Sequence, residues 1–190
     1  MSIWDSIYEN NGWSGRQSRS GTGSDLEETF HVRHELPFVL KGFNINSIVD
    51  IPCGDYNWWP KMALPTSLKY VGLDIVEAVI HSNKVRYPQV YFAVADITRD
   101  RIHTADAIIT RDCLGHFSSD SIDKALENIW LSNPKFLIAT HWPEAPYKDI
   151  EDGQWRPINM WHYLDPQNYD LVDLIEEDYP GKFLGVWMLK

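Results

Sequence analysis

Four aspartates close four successive apolar runs of the chain. Asp50 ends the run that starts at Ser47 and opens the turn Asp50-Ile51-Pro52-Cys53-Gly54-Asp55. Asp74 stands near the end of residues 68–75 and Asp96 near the end of residues 90–97. Asp112 follows residues 105–110, within Arg111-Asp112-Cys113-Leu114-Gly115-His116, and a fifth run, 135–140, leads into His141-Trp142. Carboxylates placed by chance fall on solvated helix faces. One at each strand end points instead to a shared site, because open parallel sheets bind ligands at the carboxyl ends of their strands. Gly54 and Asp74 have the separation, about 20 residues, that sets a carboxylate to accept both hydroxyls of a ribose.

The turn before that carboxylate limits what the ribose carries. It holds one glycine rather than the three that let a pyrophosphate approach the backbone, and Pro52 removes an N–H donor. An NAD-dependent oxidoreductase is therefore the weaker alternative. A nucleoside ligand without a diphosphate suits the turn better, and S-adenosylmethionine is one.

The elements needed to bring these residues together are legible. Near-continuous apolar runs alternating with helical patterns predict an α/β fold with a mostly parallel sheet covered on both faces. Helices are expected over 25–40, 76–87 and 118–131, the last with Ile122, Ala125, Leu126, Ile129 and Trp130 as its apolar stripe. Only a short loop separates the third and fourth runs, so the helix set is reduced. Residues 169–177 and 182–189, joined by Tyr179-Pro180-Gly181, read as an antiparallel hairpin that closes the sheet. The whole chain, 1–190, is expected to form one domain. Residues 143–168 form a long Pro-, Trp- and Asp-containing excursion on the acceptor side. Residues 1–25 show neither helical nor strand period, but Trp4, Trp13, Arg16 and Arg19 punctuate them, which suits a lid or cover over a site better than a passive tail.

Composition narrows the function. Seventeen Lys and Arg against 27 Asp and Glu give the 190-residue chain a formal charge of −10, which disfavours nucleic acid as a partner. No apolar run reaches the roughly 20 residues needed to cross a bilayer, and Met1-Ser2-Ile3-Trp4-Asp5 lacks the pattern of a signal peptide. Two cysteines, Cys53 and Cys113, suggest neither a disulfide framework nor a zinc cluster, and the seven histidines show no metal-ligand spacing. A cytoplasmic protein without a metal is expected, as a monomer or homodimer.

Taken together these segments resemble a class I S-adenosylmethionine-dependent methyltransferase. More narrowly, they resemble a small bacterial and phage family with an Asp-x-Pro-Cys-Gly-Asp motif, some of whose members lie among surface-polysaccharide genes. The matching pieces run from Ser20-Gly21-Thr22-Gly23-Ser24 through Asp50–Asp55 with Trp58, Tyr70–Ile75, Asp96-Ile97 and Arg111–Leu114 with His116. They continue in Gly153–Asn159 and Lys182–Trp187. The resemblance implies a Rossmann-like class I methyltransferase fold of seven strands with an antiparallel last strand. It also implies a cofactor set of Asp50, Pro52, Cys53, Gly54, Asp55 and Trp58 for the methionine moiety, with Asp74 on the ribose and Asp96 on the adenine amino group. Ile75 and Ile97 would wall the ring, and Arg111 would meet both cofactor and acceptor.

Methyl transfer to a hydroxyl needs alignment and a base. His116 and Asp112 are the candidates, Asp112 either as base or as orienter of one. Arg111, His141, Trp155, Arg156 and Asn159 are candidate acceptor-binding residues, Arg156 for a carboxylate or phosphate and Trp155 for a sugar face. The favoured function is O-methylation of a small-molecule or saccharide acceptor. A non-catalytic S-adenosylmethionine-binding protein that recruits a partner is the other alternative.

Overall fold

The structure, a computed structural model, describes residues 2–190. Seven strands form one sheet: β1 Ser47–Asp50, β2 Lys69–Asp74, β3 Tyr91–Val94, β4 Ala107–Thr110, β5 Phe136–His141, β6 Tyr169–Glu176 and β7 Phe183–Leu189. Their order is β3-β2-β1-β4-β5-β7-β6, parallel except for β7, which runs antiparallel to both β5 and β6. Strand order reverses between β1 and β4, which opens a crevice at the carboxyl ends of those two strands.

Alternating side chains build two cores. Val49, Ile108 and Leu137 face one layer together with Ile122, Ala125 and Ile129 of helix α4 (Ser119–Leu131). Ile48, Ile109 and Ile138 face the other, with Val32, Leu36, Val39 and Leu40 of helix α2 (Phe30–Gly42). The period-2 alternation of buried strands thus fixes which helix covers which face. Ser118 caps α4 by accepting the Ser121 N–H at 3.3 Å. Helix α3 (Glu77–Arg86) links β2 to β3. No helix lies between β3 and β4. The connecting loop is tied down from α4 instead, where Asn128 Nδ2 donates to the Ile97 carbonyl at 3.0 Å.

Two local expectations are corrected. The first residues contain a helix, α1 (Ile3–Glu9), closed at its start by a reciprocal Ser2–Asp5 capping box. Seven residues are too few to display a helical period. Helix α2 starts at Phe30 rather than at residue 25, because Asp25 is used otherwise: its carboxylate accepts the N–H groups of Arg16, Gln17 and Ser18 at 2.8–3.0 Å. Among the described residues no helix is long and apolar enough to cross a membrane.

Candidate functional site

A cavity of about 620 Å³ lies over the crevice. Its floor is built from strand ends. Asp74, at the end of β2, is buried, and the backbone on either side orients its carboxylate: Gly54 N–H donates to Oδ2 at 3.0 Å and Val76 N–H to Oδ1 at 2.9 Å. Burial pushes its carboxyl up to about 6 against the pull of those N–H groups. Asp50, at the end of β1, accepts a hydrogen bond from Tyr70 Oη at 2.7 Å, and burial, outweighing that bond, raises it to about 7. Asp96 follows β3 and folds into its own turn, accepting from the Thr98 N–H at 2.9 Å and the Thr98 hydroxyl at 2.7 Å; its other oxygen pairs with Arg99. Ile75 and Ile97 supply apolar wall between these carboxylates.

Beyond β4 sits a cluster of four charges, of which Arg111, Glu177 and Lys182 are buried and Asp112 is partly exposed. Arg111 binds Glu177 through Nε and Nη2, and its Nη1 donates to the Gly23 carbonyl at 2.7 Å. Lys182 Nζ reaches Asp112 at 2.7 Å and Glu177 at 3.1 Å. Burial disfavours the Asp112 carboxylate, but Lys182 and Arg111 outweigh it and hold the group well below the usual carboxylate range. Asp112 adopts a positive φ of 52°, and its N–H donates to Thr140 Oγ1 at 2.8 Å. Glu177 and Lys182 face each other across the neck of the β6–β7 turn, where Glu177 N–H donates to the Lys182 carbonyl. The antiparallel hairpin therefore delivers both counter-ions to the site. Glu177 lines the cavity, while its Oε1 is fully buried and has no hydrogen-bond partner among the described residues.

His116 lies past β4 at the cavity wall. Its Nδ1 is 2.9 Å from the Gln154 carbonyl, which can only accept, so Nδ1 carries the proton and Nε2 keeps a free lone pair. Burial lowers its pKa, although the Gln154 carbonyl and Asp112 pull the other way. Trp13 packs on the imidazole with ring centroids 5.3 Å apart. Farther out, Trp142 makes edge contacts with Trp155 and Tyr179, and all three rings line the cavity.

Trp4, Tyr8, Trp13 and residues 20–24 of the N-terminal segment also line the cavity. On one side Tyr8 packs with Val76 and Val79, and the Asp55 carboxylate accepts from Ser18 Oγ at 2.8 Å and Arg19 N–H at 3.0 Å. On the other, Trp4 packs against Phe117 with the rings tilted, centroids 5.6 Å apart, and Ile3 lies against Gly153.

Of the residues singled out in the sequence, the cavity gathers Asp50, Pro52, Cys53, Gly54, Trp58, Asp74, Ile75, Asp96, Ile97, Arg111, Asp112, His116 and Trp155. Four lie outside its lining. Asp55 holds the N-terminal segment. Arg156 is buried and donates to the Phe117 carbonyl at 2.8 Å and to Tyr163 Oη at 2.9 Å, so its guanidinium ties the excursion to the post-β4 segment rather than reaching a ligand. His141 is buried and accepts the Met160 N–H at 3.1 Å; burial lowers its pKa to about 4. Asn159 caps the turn at Met160–His162 and donates to the Pro143 carbonyl. Sequence reasoning missed Glu177, Lys182, Trp142 and Tyr179. A signal existed for the first two: opposite charges just inside the two arms of an apolar hairpin, placed to pair with each other.

No protein-family model matches the chain, and no curated protein does. Solved structures match in fold. The methyltransferase domain of bacterial CtHen1 superposes with a TM-score of 0.64 at 15% identity, over 84% of this chain and 97% of that one. An S-adenosylmethionine-dependent methyltransferase from Clostridium acetobutylicum gives 0.62 at 12% identity, over 85% and 92%. Magnesium protoporphyrin IX methyltransferase from Synechocystis, solved with S-adenosylmethionine bound, gives 0.57 at 12%, over 85% and 81%. At these identities the likeness is one of fold. The seven-stranded sheet with its antiparallel last strand is the fold of class I S-adenosylmethionine-dependent methyltransferases, in agreement with the expectation from sequence.

Proposed function

We propose that the chain is an S-adenosylmethionine-dependent methyltransferase that transfers a methyl group to a hydroxyl of a small or glycan-linked acceptor. The observation that carries this reading is the convergence of Asp50, Asp74, Asp96 and Asp112 on one cavity at the strand-order reversal. The residues present fit the cofactor. Seven carboxylates line the cavity against one arginine and one lysine, an electrostatic setting for a cation. Asp74 is already oriented by two N–H groups and has acceptor capacity left for a diol, since an ionised carboxylate offers about four lone-pair sites. Asp50 and the Gly54 turn would hold the amino-acid end, and Ile75, Ile97 and Asp96 the base. When bound, the cofactor supplies an electrophilic methyl group on a sulfonium.

The chain's own residues do the rest. His116 receives the acceptor proton at Nε2, because its tautomer leaves that nitrogen free and its lowered pKa keeps it neutral at pH 7. Asp112 is too weak a base for this step, since Lys182 and Arg111 hold it ionised; it positions the acceptor side and stabilises the imidazolium that forms at His116. The N-terminal segment covers the cavity and excludes water, which strengthens the electrostatics inside.

Calorimetry with S-adenosylmethionine, S-adenosylhomocysteine and NAD tests the cofactor. Binding of the first two, weakened roughly 10- to 100-fold by Asp74→Asn, is expected; binding of NAD alone refutes the reading. His116→Gln should lower turnover by about 10²- to 10⁴-fold while leaving cofactor affinity unchanged. In the wild type, activity should fall only as pH drops below the ordinary histidine range.

A further inference from the structure

Three aromatic rings of the cavity wall meet from three separate parts of the chain. Trp142 follows β5, Trp155 stands in the excursion, and Tyr179 belongs to the β6–β7 turn. Trp142 meets Trp155 at an interplanar angle of 80° with centroids 6.4 Å apart, and Tyr179 at 66° and 5.5 Å. Rings at near right angles form a corner, in which one small group touches more than one ring. Tryptophan is ordinarily well buried, yet Trp155 is 58% exposed and Tyr179 59%. That surface is open to a ligand. Trp155 Nε1 lies 3.9 Å from where a Cβ on Gly115 would stand, which sets the corner beside the segment that carries His116.

The charges of the cavity decide what kind of ligand suits the corner. Arg111 is committed to Glu177, Asp112 and the Gly23 carbonyl, and Lys182 to Asp112 and Glu177. No other lysine or arginine lines the cavity. Glu28 and Asp152 also line it, without a salt-bridge partner among the described residues, and Asp152 belongs to the same excursion as Trp155. An anionic group entering here meets no uncommitted cation. A neutral sugar can lie on a ring face but gains nothing from the carboxylates. An ammonium gains from both, because a ring face is the negative end of its quadrupole and attracts a cation within about 6 Å of the centroid.

We infer that the corner of Trp142, Trp155 and Tyr179 is an ammonium subsite, and that the methyl acceptor carries a protonated or quaternary amine beside the hydroxyl it presents to His116. The ligand's role as acceptor rests on the methyltransferase reading above; the binding of a cation at the corner does not.

The test uses probes matched in shape and differing in charge: choline against neohexanol, its uncharged carbon isostere, and glucosamine against glucose, in slightly acidic buffer that keeps glucosamine protonated. The full chain is first saturated with S-adenosylhomocysteine, checked by calorimetry, so that the cofactor side is closed to the probes and failure of the cofactor reading is seen separately. Ligand-observed NMR titrations then follow each probe. At least one cation should bind roughly tenfold or more tighter than its neutral partner. Trp155→Leu and Tyr179→Leu, both at exposed positions, should each reduce that preference by roughly three- to tenfold. Trp155→Phe, which keeps a ring face, should retain most of it, and S-adenosylhomocysteine affinity should hold in every variant. If S-adenosylhomocysteine does not bind, the same titrations on the free chain and its variants decide the subsite by themselves. Neutral partners that bind as tightly as the cations, no binding of either cation, or a charge preference undiminished in either leucine variant each overturn the inference.

Discussion

Adding a single methyl group at Gly23 should disconnect the N-terminal segment from the charged cluster. A Cβ built at Gly23 would stand 2.5 Å from Asp112 Oδ2, about 0.9 Å closer than the 3.4 Å at which ordinary contact begins. The backbone of Gly23 is not in the left-handed region, so alanine fits the local conformation and the clash is the whole effect. Asp112 cannot easily yield, because Lys182 Nζ holds the same oxygen at 2.7 Å and Thr140 holds its backbone N–H. Either the cluster is strained or the segment lifts. Overpacking of this kind costs about 1–3 kcal/mol. For a domain of this size, that corresponds to a loss of roughly 2–12 °C in Tm if the segment stays in place. If it lifts, Arg16 and Arg19 lose their hydrogen-bonded surroundings, and trypsin cuts after them within minutes under conditions that leave the wild type intact. The assay is thermal unfolding paired with limited tryptic digestion, each with and without S-adenosylhomocysteine. A Gly23→Ala protein with unchanged Tm and unchanged digestion would refute the docking of residues 20–24 on Asp112.

Three further outcomes are expected. Lys182→Met leaves Glu177 and Asp112 short of a cation in a largely buried setting and should cost about 3–5 kcal/mol, seen as a large drop in Tm; a shift under about 2 °C, equivalent to roughly 0.5–1 kcal/mol, counts against the cluster. Asp50 and Asp74 have pKa values raised to about 7 and about 6, so the folded protein holds protons that the unfolded chain has released. Their contribution to stability is full below the ordinary carboxylate range and is lost as pH rises through 6 to 7, and Asp50→Asn should flatten that part of the Tm-versus-pH curve. Arg156→Lys should destabilise the excursion, read as faster amide exchange over residues 143–168, without altering which acceptors are used.

The sheet was legible because buried parallel strands leave continuous apolar runs and the turns between them are short. The strand-end aspartates were legible for the same reason: once the runs are placed, their carboxyl ends are placed. Helix α1 was not, since Trp4 and Tyr8 hold it from outside and seven residues carry no period. The start of α2 was misplaced because Asp25 has the residue type of a helix cap and is spent on three N–H groups earlier in the chain. Arg156 shows the limit for site residues. An arginine beside a tryptophan in a long loop reads as a ligand hook, and only the positions of the carbonyls around it reveal a brace. Glu177 and Lys182 were hidden by distance, lying 66 and 70 residues or more from the arginine and aspartate they join.

Gly54 joins three parts of the molecule through one backbone unit. Its N–H steers Asp74, its carbonyl accepts from Asn83 of α3 at 2.7 Å, and the space where a side chain would stand is filled by Ser20 Oγ, 2.2 Å from the would-be Cβ. Its φ of +55° adds a conformational demand that few other residues meet. The N-terminal segment and the strand-end turn are consequently not independent variables for anyone redesigning this protein. A larger residue at position 20 or any side chain at position 54 would reshape the Asp74 side of the cavity and the N-terminal segment in one stroke, so libraries aimed at new ligands should hold both positions constant and diversify the Trp142, Trp155 and Tyr179 rim.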